Sequence, residues 1–319
     1  MRKIVCFMLI GVLMLFTGCS TLPVEDSSGG VRIVTTIFPP YDFAREITGG
    51  EAEIHMLLKP GTESHSYEPS PADILLVESS DLFIYNGGES DTWVEDLLEN
   101  IDTSNLRILR MMDCVEGLEE ETVEGMQIVH SHHHEEEHHH LKAEEYDEHV
   151  WTSPENAIRI ADAICDKLIE IDSKNKEFYL KNTAEYKGKL EALSGKFRQI
   201  VNEGNRQTMI FGDRFPFRYF AEEYGLMYRA AFPGCSAESE PGAKTVAYLM
   251  DKVRQEEIPH IFYIEFSNQK IAKSIQEETG AEPLLFHSCH NLSADEMERG
   301  VTYLMLMEQN AENLKEALQ

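Results

Sequence analysis

The sequence has few basic residues. Lys and Arg number 28 against 57 Asp and Glu, which gives a formal net charge of −29. A nucleic-acid-binding surface needs Lys and Arg to neutralise phosphates, so this balance argues against a nucleic-acid partner. The negative charge suits a cationic partner, and solubility alone is the other explanation.

The sequence also lacks a long apolar segment. Near the N-terminus, Arg2 and Lys3 precede the apolar run Ile4–Phe16, which has 13 residues. A membrane-spanning helix needs about 20 apolar residues, so this run is too short to span. A short basic region followed by such a run is typical of a secretion signal. No later segment is long and apolar enough to span a membrane.

The signal segment ends in Leu15-Phe16-Thr17-Gly18-Cys19. Small residues before a cysteine resemble the lipobox of bacterial lipoproteins, although Phe16 stands where a small or aliphatic residue is usual. The resemblance implies removal of residues 1–18 and a diacylglycerol on Cys19, whose two chains anchor stably. A plain signal peptide with a chance cysteine is the alternative. Either way we expect an extracytoplasmic protein, with residues 19–30 as a flexible tether.

Strand and helix patterns alternate in both halves of the chain. The predicted strands span 31–38, 51–58, 81–86, 106–111, 206–212, 226–232 and 260–266. The predicted helices span 42–49, 72–79, 92–100, 154–171, 174–201, 215–225, 243–257, 268–280 and 301–318. Because parallel strands need helical crossovers, the alternation predicts an α/β protein with two doubly wound lobes.

The predicted helix 174–201 is the longest. At ~1.5 Å per residue it makes a rod of roughly 40 Å. A helix of this length between two α/β halves could join them rigidly, or it could be an ordinary surface helix. We predict a first lobe at 31–153, a helical connector at 154–204 and a second lobe at 205–319. One stripe of the helix has the three- and four-residue spacing of a buried face: Tyr179, Thr183, Tyr186, Leu190, Leu193, Phe197 and Ile200.

The pattern of strands and helices stops between residues 113 and 148. This stretch consists mostly of acidic, His and small residues, which cannot bury enough apolar surface to offset the entropy of ordering. We therefore expect a mobile loop. Its centre, HSHHHEEEHHH, carries seven imidazoles and three carboxylates in eleven residues. The imidazoles, which suit zinc, belong to His130, His132, His133, His134, His138, His139 and His140.

Two further histidines lie in well-defined local patterns. His65, in GTESHSYEPSPADI (61–74), follows a predicted strand and precedes a predicted helix. In open α/β sheets, ligands bind at the carboxyl ends of the strands, where this loop belongs. His149, in YDEHVWTSP (146–154), directly precedes a helix, and Trp151 beside it can exclude water. A histidine that is merely a polar neighbour of the helix start is the alternative for His149.

Both stretches resemble motifs of the zinc- and manganese-specific solute-binding proteins of bacterial ABC importers. The likeness includes NGGESDTWVEDLL (86–98) and EFSNQKIAKSIQEETGA (265–281), and it covers nearly all of residues 31–319. It implies two α/β lobes joined by a rigid helix, with a metal ion in the cleft between them. It also implies that His65 and His149 each supply one metal ligand. A His- and acid-rich loop before the second of these resembles the zinc-specific members, and implies an accessory zinc collector.

The resemblance places two further ligands in the second lobe. Family members have His or Glu just before a helix where this chain has FGDRFPFRYF, and Asp213 is the nearest donor, one residue out of register. Pairing of Asp213 with Arg214 or another cation is the alternative. The last ligand falls in LLFHSCHNLS, where His287 fits the register best, and Glu265 is a reserve candidate.

Four cysteines follow Cys19, and an even number permits disulfides in an extracytoplasmic protein. We predict a disulfide between Cys235 and Cys289, because both lie in second-lobe loops near the implied cleft. Cys289 as a thiolate ligand is the alternative. Since successive residues of an extended chain point to opposite sides, His287 and Cys289 can face one way and His290 the other.

The resemblance implies a monomeric, lipid-anchored receptor that binds Zn²⁺ and hands it to an ABC permease, without catalysing a reaction. Three His and one Asp favour zinc, whereas the manganese-specific members use two His and two carboxylates. A receptor of the same class for Mn²⁺ or Fe²⁺ is one alternative. A zinc hydrolase would need an open coordination position and a general base, and the chain has no G-x-S-x-G nucleophile elbow. An adhesin or a metal-sensing surface protein is a further alternative.

Overall fold

Two four-stranded parallel sheets carry the fold. The computed structural model describes residues 30–63, 67–126, 146–234 and 241–319, and Val31–Gln319 forms one structural unit. In the described ranges the strands are β1 (Arg32–Thr35), β2 (Glu53–Met56), β3 (Leu82–Tyr85), β4 (Arg107–Arg110), β5 (Thr208–Phe215), β6 (Met227–Pro233), β7 (His260–Tyr263) and β8 (Glu282–Leu285). The α-helices there are α1 (Phe38–Thr48), α2 (Pro71–Glu78), α3 (Trp93–Asn100), α4 (Pro154–Ile171), α5 (Lys176–Glu203), α6 (Arg218–Tyr224), α7 (Ala243–Gln255), α8 (Lys270–Thr279), α9 (Ala294–Glu298) and α10 (Tyr303–Leu318).

The strand order is the same in both sheets. It is β2-β1-β3-β4 in the first lobe and β6-β5-β7-β8 in the second, and every pairing is parallel. Chain crossovers on both sides of the first strand make each sheet doubly wound. The predicted α/β class with two lobes is therefore confirmed.

Helix α1 begins earlier than predicted. The sequence pattern places a strand at 31–38 and a proline break before a helix at 42–49, but the strand ends at Thr35 and the helix begins at Phe38. Pro39 and Pro40 lie in its first turn, where proline is tolerated because the backbone N–H groups have no acceptor within the helix. The two prolines thus start the helix instead of separating it from the strand.

Two elements of the second lobe were not predicted. Strand β8 has four residues and contains Pro283, which weakens its strand pattern. It is the edge strand of its sheet, where a missing N–H is acceptable. Helix α9 has only five residues and is defined by a capping box between Ser293 and Glu296. Strand β8 leads into the 286–292 loop and α9 follows it, and this loop contains two of the candidate histidines, His287 and His290.

The 28-residue helix α5 contacts both lobes. It packs against α1 and α4 on the side of the first sheet and against α6 and α10 on the side of the second. Every residue of the predicted stripe is buried. A single apolar cluster that includes Ile33, Leu190 and Phe211 runs from one lobe through α5 into the other. The helix therefore has the position of a connector, while the boundaries at 153 and 204 stay predictions.

Part of the predicted loop 113–148 packs on the second lobe. Tyr228 donates a hydrogen bond to Glu121 (3.1 Å) and Tyr248 donates one to Glu124 (3.2 Å). Composition does not reveal these phenol partners of the acidic side chains, and the mobility of the loop stays a prediction. The His-rich segment lies outside the described residues.

No helix in the described part of the chain combines the length and the apolar character that a membrane span requires.

Candidate metal centre

A small cavity lies at the carboxyl ends of the strands, between the two lobes. Its volume of about 30 Å³ suits an ion, since sites for organic ligands measure about 300–1,000 Å³. The first lobe contributes His149 and residues of the loop after β2. The second lobe contributes Arg214 near the end of β5 and residues that follow β5, β6, β7 and β8. The cavity is lined by Leu58, Thr62, Glu63, His149, Arg214, Pro216, Gly234, Ile264, Glu265, Phe266, Ser288, His290 and Asn291.

His149 is almost fully buried at this cavity, as the sequence motif indicates. The backbone N–H of His149 donates to Oδ1 of Asp147 (2.8 Å), and Nδ1 lies 3.1 Å from the same oxygen. Because an ionised carboxylate only accepts, Nδ1 carries the proton and Nε2 keeps the lone pair that can bind a metal. A Cβ on Gly234 would lie 3.1 Å from Cε1 of the ring, so a larger residue would press on the imidazole.

The electrostatics of His149 follow from Asp147. Burial alone would lower the pKa of the imidazole, but the charge of Asp147 and its hydrogen bond outweigh burial and raise that pKa. A carboxylate behind the non-ligating nitrogen is common in zinc sites, where it fixes the orientation of the ring and makes it a stronger ligand.

The residue before His149 is fixed by the 86–90 loop, part of the NGGESD stretch. Glu148 accepts hydrogen bonds from both the backbone N–H (3.0 Å) and the hydroxyl of Ser90. The Asn86 amide donates to the backbone oxygen of Glu148 at 2.8 Å. A Cβ on Gly88 would approach the Glu148 carboxylate to 2.5 Å, and the φ of Gly88 is +83°, so glycine is required there. This loop holds the backbone from which His149 projects.

His290 joins His149 at the cavity. The two ring centroids lie 5.9 Å apart at an interplanar angle of 84°. Trp151 packs on both imidazoles, with centroid distances of 5.4 Å to His149 and 4.9 Å to His290. The Trp151 indole donates to the backbone oxygen of Ser288 at 2.8 Å. Trp151, which is fully buried, thus keeps water from one side of the pair and fixes the loop that carries His290.

His287, the ligand that the sequence register favours, does not line the cavity. Its Nδ1 accepts a hydrogen bond from the backbone N–H of Cys289 at 2.9 Å, and its Nε2 is buried with no hydrogen-bond partner among the described residues. The backbone of His287 is bound on both sides by the Asn310 side chain of α10. The structure therefore does not bring His287 together with His149, and its ligand role stays a prediction.

Glu265, the reserve candidate, does line the cavity. Its carboxylate accepts from the backbone N–H (2.7 Å) and the hydroxyl of Ser288. Phe266, the next residue, has a φ of +58°, and Cys289, directly before His290, has +61°. Such left-handed conformations cost roughly 1–3 kcal/mol for residues with a side chain, and they persist where the surrounding structure enforces them. Both strained residues are therefore next to candidate ligands.

Asp213 is placed beside the cavity but does not line it. Burial raises the pKa of its carboxyl, and its Oδ1 accepts from the backbone N–H of Arg214 at 2.9 Å. The strand pairing of β5 shifts register at this point, which turns Arg214 into the cavity. The Arg214 guanidinium forms an ion pair with Glu63 of the first lobe at 3.0 Å. The charge of Arg214 opposes the effect of burial on the Asp213 carboxyl, and both the pairing with Arg214 and the ligand role of Asp213 stay predictions.

Several predicted residues lie outside the described ranges. They are His65, the seven histidines of the His-rich segment, Cys19 and Cys235. Cys289 is a buried free thiol, so the predicted Cys235–Cys289 disulfide stays a prediction that the structure does not support. Over residues 30–63, 67–126, 146–234 and 241–319, no group of three His, Cys, Asp or Glu side chains is close enough to hold a metal ion. A metal held by these groups therefore needs a donor from beyond these ranges and an adjustment of the described side chains.

Sequence reasoning missed Asp147 and the Glu63–Arg214 pair. Asp147 had a signal, since an acidic residue two positions before a candidate ligand can reach back to its ring. The Glu63–Arg214 pair left no signal in the local sequence, because the two residues are 151 positions apart.

Two parallel α/β lobes around an ion-sized cavity, with a helix in contact with both, define a two-lobed binding protein. The model of the family described as "ZnuA: Zinc-uptake complex component A periplasmic" matches residues 33–317, and the chain belongs to that family.

The zinc-binding lipoprotein AdcA of Streptococcus pneumoniae (strain TIGR4) is 31% identical over 295 residues, which are 92% of this chain and 56% of AdcA. The chain thus spans little more than half of that relative. The high-affinity zinc uptake system protein ZnuA of Bacillus subtilis is 31% identical over 317 residues, 98% of this chain and 95% of the relative. The crystal structure of the Zn(II)-bound ZnuA-like domain of S. pneumoniae AdcA superimposes with a TM-score of 0.73 at 27% identity, covering 91% and 99% of the two chains.

Proposed function

We propose that this protein is an extracytoplasmic receptor that captures Zn²⁺ and delivers it to an ABC permease. Membership of the zinc-uptake family and the zinc-related names of its relatives support the proposal. The observation that carries it is the pair of neighbouring imidazoles, His149 and His290, at a cavity of ionic size.

The spacing of the pair fits zinc. Two imidazoles bound to a tetrahedral zinc with Zn–N near 2.0–2.1 Å have ring centroids roughly 5 Å apart. The 5.9 Å between His149 and His290 is within a small movement of that value. His65 supplies the third imidazole in this proposal. It lies two residues after Glu63, which lines the cavity.

A carboxylate completes the proposed site. Glu265 lines the cavity with its side chain 9% exposed, whereas Asp213 does not line it. We therefore assign the ligands to His65, His149, His290 and Glu265. His290 and Glu265 replace His287 and Asp213 of the sequence prediction, and Glu265 has to approach the two imidazoles when the metal binds, because the described donors do not form a group of three. Three imidazoles and one carboxylate favour zinc over manganese, which prefers more oxygen ligands.

The remaining parts of the proposal concern the cell surface. Cys19, with the small residues before it, is the proposed site of the lipid that holds the mature chain at the membrane. The His-rich segment 130–140 is the proposed accessory collector, which offers many weak, exchangeable ligands. The receptor acts as a monomer, and its work is binding and release without a chemical step.

A zinc hydrolase is the alternative from another class. The His-rich segment contains His-Glu-Glu-Glu-His at 134–138, which fits the H-E-x-x-H pattern. In that pattern the spacing has meaning on a helix that presents both imidazoles on one face, and here it occurs within a run of repeated His and Glu. It does not outweigh the family assignment.

A metal competition titration tests the function. Metal-free protein comprising residues 20–319 is titrated with Zn²⁺ and Mn²⁺ against a chelating indicator. We expect one tight zinc site, preference for Zn²⁺ over Mn²⁺, and loss of tight binding in His149→Ala. Deletion of residues 130–140 should leave the tight site and remove only weaker ones. Preference for Mn²⁺, or loss of the tight site in the deletion, would contradict the proposal.

A further inference from the structure

Tyr219 of α6 closes a ring of three hydrogen bonds beside the site. Its hydroxyl donates to the backbone oxygen of Asp147 at 2.9 Å and accepts from the backbone N–H of Leu118 at 3.2 Å. The N–H of Asp147 in turn donates to the backbone oxygen of Leu118 at 2.8 Å. Tyr219 is 4% exposed, so water does not compete for these bonds.

The ring fixes Asp147 at both of its backbone polar groups. The N–H is held by Leu118, the carbonyl is held by Tyr219, and the carboxylate is left to bind His149. Leu118 and Asp147 belong to chain segments that flank residues 127–145, whereas Tyr219 lies in the second lobe. The phenol thus bonds to both segments, and Arg218 of α6 adds an ion pair with Glu121 of the first segment (3.5 Å).

We propose that Tyr219 is a positioning residue for the metal ligand His149, acting through the backbone and carboxylate of Asp147. The inference rests on the proposed zinc function. Tyr219 does not line the cavity and does not touch the ion; it determines where the Asp147 carboxylate stands. Removal of the hydrogen-bond partner of a ligating histidine typically weakens metal binding by about 10–100-fold. Because Tyr219 bonds to that partner and not to the histidine, we expect an effect at the lower end of this range.

The test uses two matched phenols of the same helix. Tyr219→Phe keeps the ring and its packing but leaves the Asp147 carbonyl and the Leu118 N–H without a partner. Tyr224→Phe is the control, because its hydroxyl is also buried and bonded, in this case to Ser194 at 3.3 Å, away from the site. We expect about tenfold weaker Zn²⁺ binding for Tyr219→Phe and less than about twofold for Tyr224→Phe, with urea midpoints recorded for both.

A double-mutant cycle separates positioning from a general structural role. If Tyr219 acts through the Asp147 carboxylate, Tyr219→Phe should weaken binding by less than about twofold in an Asp147→Ala background. The Co²⁺-loaded protein gives a spectroscopic readout: the visible absorption bands should change in Tyr219→Phe and stay the same in Tyr224→Phe.

Three results would overturn the inference. One is equal weakening by Tyr219→Phe with and without the Asp147 carboxylate. Another is an unchanged zinc affinity in Tyr219→Phe while Asp147→Ala is impaired. A third is failure of the unaltered protein to bind Zn²⁺. This result would overturn the proposed function as well, and the titration of the unaltered protein distinguishes it from the first two results.

Discussion

Asp147 binds His149 twice through one oxygen. Its Oδ1 accepts from the backbone N–H at 2.8 Å and lies 3.1 Å from Nδ1 of the ring. Both side chains are 2% exposed. The imidazole is therefore held in one orientation and one tautomer before a metal arrives, so binding does not have to order it.

Removal of the Asp147 charge should weaken and shift zinc binding. Protons compete with zinc for the imidazole, so a raised pKa of His149 makes zinc affinity fall at a higher pH on acidification. In Asp147→Asn the pKa of His149 should fall, and the pH at which affinity declines should move lower. At neutral pH we expect about 10–100-fold weaker binding. Zinc competition titrations from pH 5 to 8 measure both effects, and an unchanged profile would contradict them.

His290 and His287 give a direct comparison of two candidate ligands. His290→Ala removes an imidazole from the cavity, and we expect zinc affinity to fall by at least about 100-fold. His287→Ala removes the acceptor of the Cys289 N–H and a ring whose Nδ1 lies 3.6 Å from Glu265. It should cost about 1–3 kcal/mol of stability and weaken zinc binding by no more than about tenfold, less than His290→Ala does. Titration calorimetry and urea unfolding separate these outcomes. The reverse pattern would return the ligand role to His287.

Asn291 ties the loop that leads to His65 to the second lobe. Its amide donates to the backbone oxygens of Lys59 (2.8 Å) and Thr62 (2.9 Å). Asn291→Ala should lower zinc affinity several-fold, because the loop loses both bonds. Asn313→Ala is the matched control. It removes the hydrogen bond that the side-chain amide donates to the backbone oxygen of Leu285 and the one that it accepts from Gln309, neither of them at the cavity, and it should leave affinity unchanged. Equal effects of the two variants in a competition titration would contradict this role.

Asp42 should make the fold less stable as pH rises through the acidic range. Burial raises its pKa to about 6 from 3.8, despite the opposing charge of Arg45. Because the folded state favours the protonated form, the contribution of Asp42 to the free energy of unfolding should fall between about pH 4 and pH 6, by at most roughly 3 kcal/mol. Urea unfolding of metal-free protein measures the change. Asp42→Asn should have a smaller pH dependence than the unaltered protein, and an equal one would contradict the assignment.

The elements that the sequence predicts well are those with local signals. Helix α4 begins at Pro154 and ends at Ile171 as predicted, because Ser153 caps it and its apolar period is regular. Strand β8 was missed because four residues with one proline carry little pattern. Helix α1 was misplaced because the same prolines can end one element or begin the next, and only packing decides between these outcomes.

In the candidate site, too, the residues with local signals could be predicted and those placed by tertiary contacts could not. His149 could be found from its motif, because the neighbouring tryptophan and helix start are local. The choice between His287 and His290 could not be made from the sequence. The left-handed conformation of Cys289 turns the chain between them, and a local pattern does not reveal such a turn at a residue other than glycine. The ion pair of Glu63 with Arg214 joins two lobes and leaves no trace in local sequence. The role of His65 stays a prediction.

The most direct measurement is a crystal structure of the zinc-loaded protein, with the ion located by anomalous scattering at the zinc edge. We predict one fully occupied zinc in the cavity between the lobes, bound by Nε2 of His149 at about 2.0–2.1 Å and by the rings of His65 and His290. A tightly held zinc that makes no bond to His149 would contradict it.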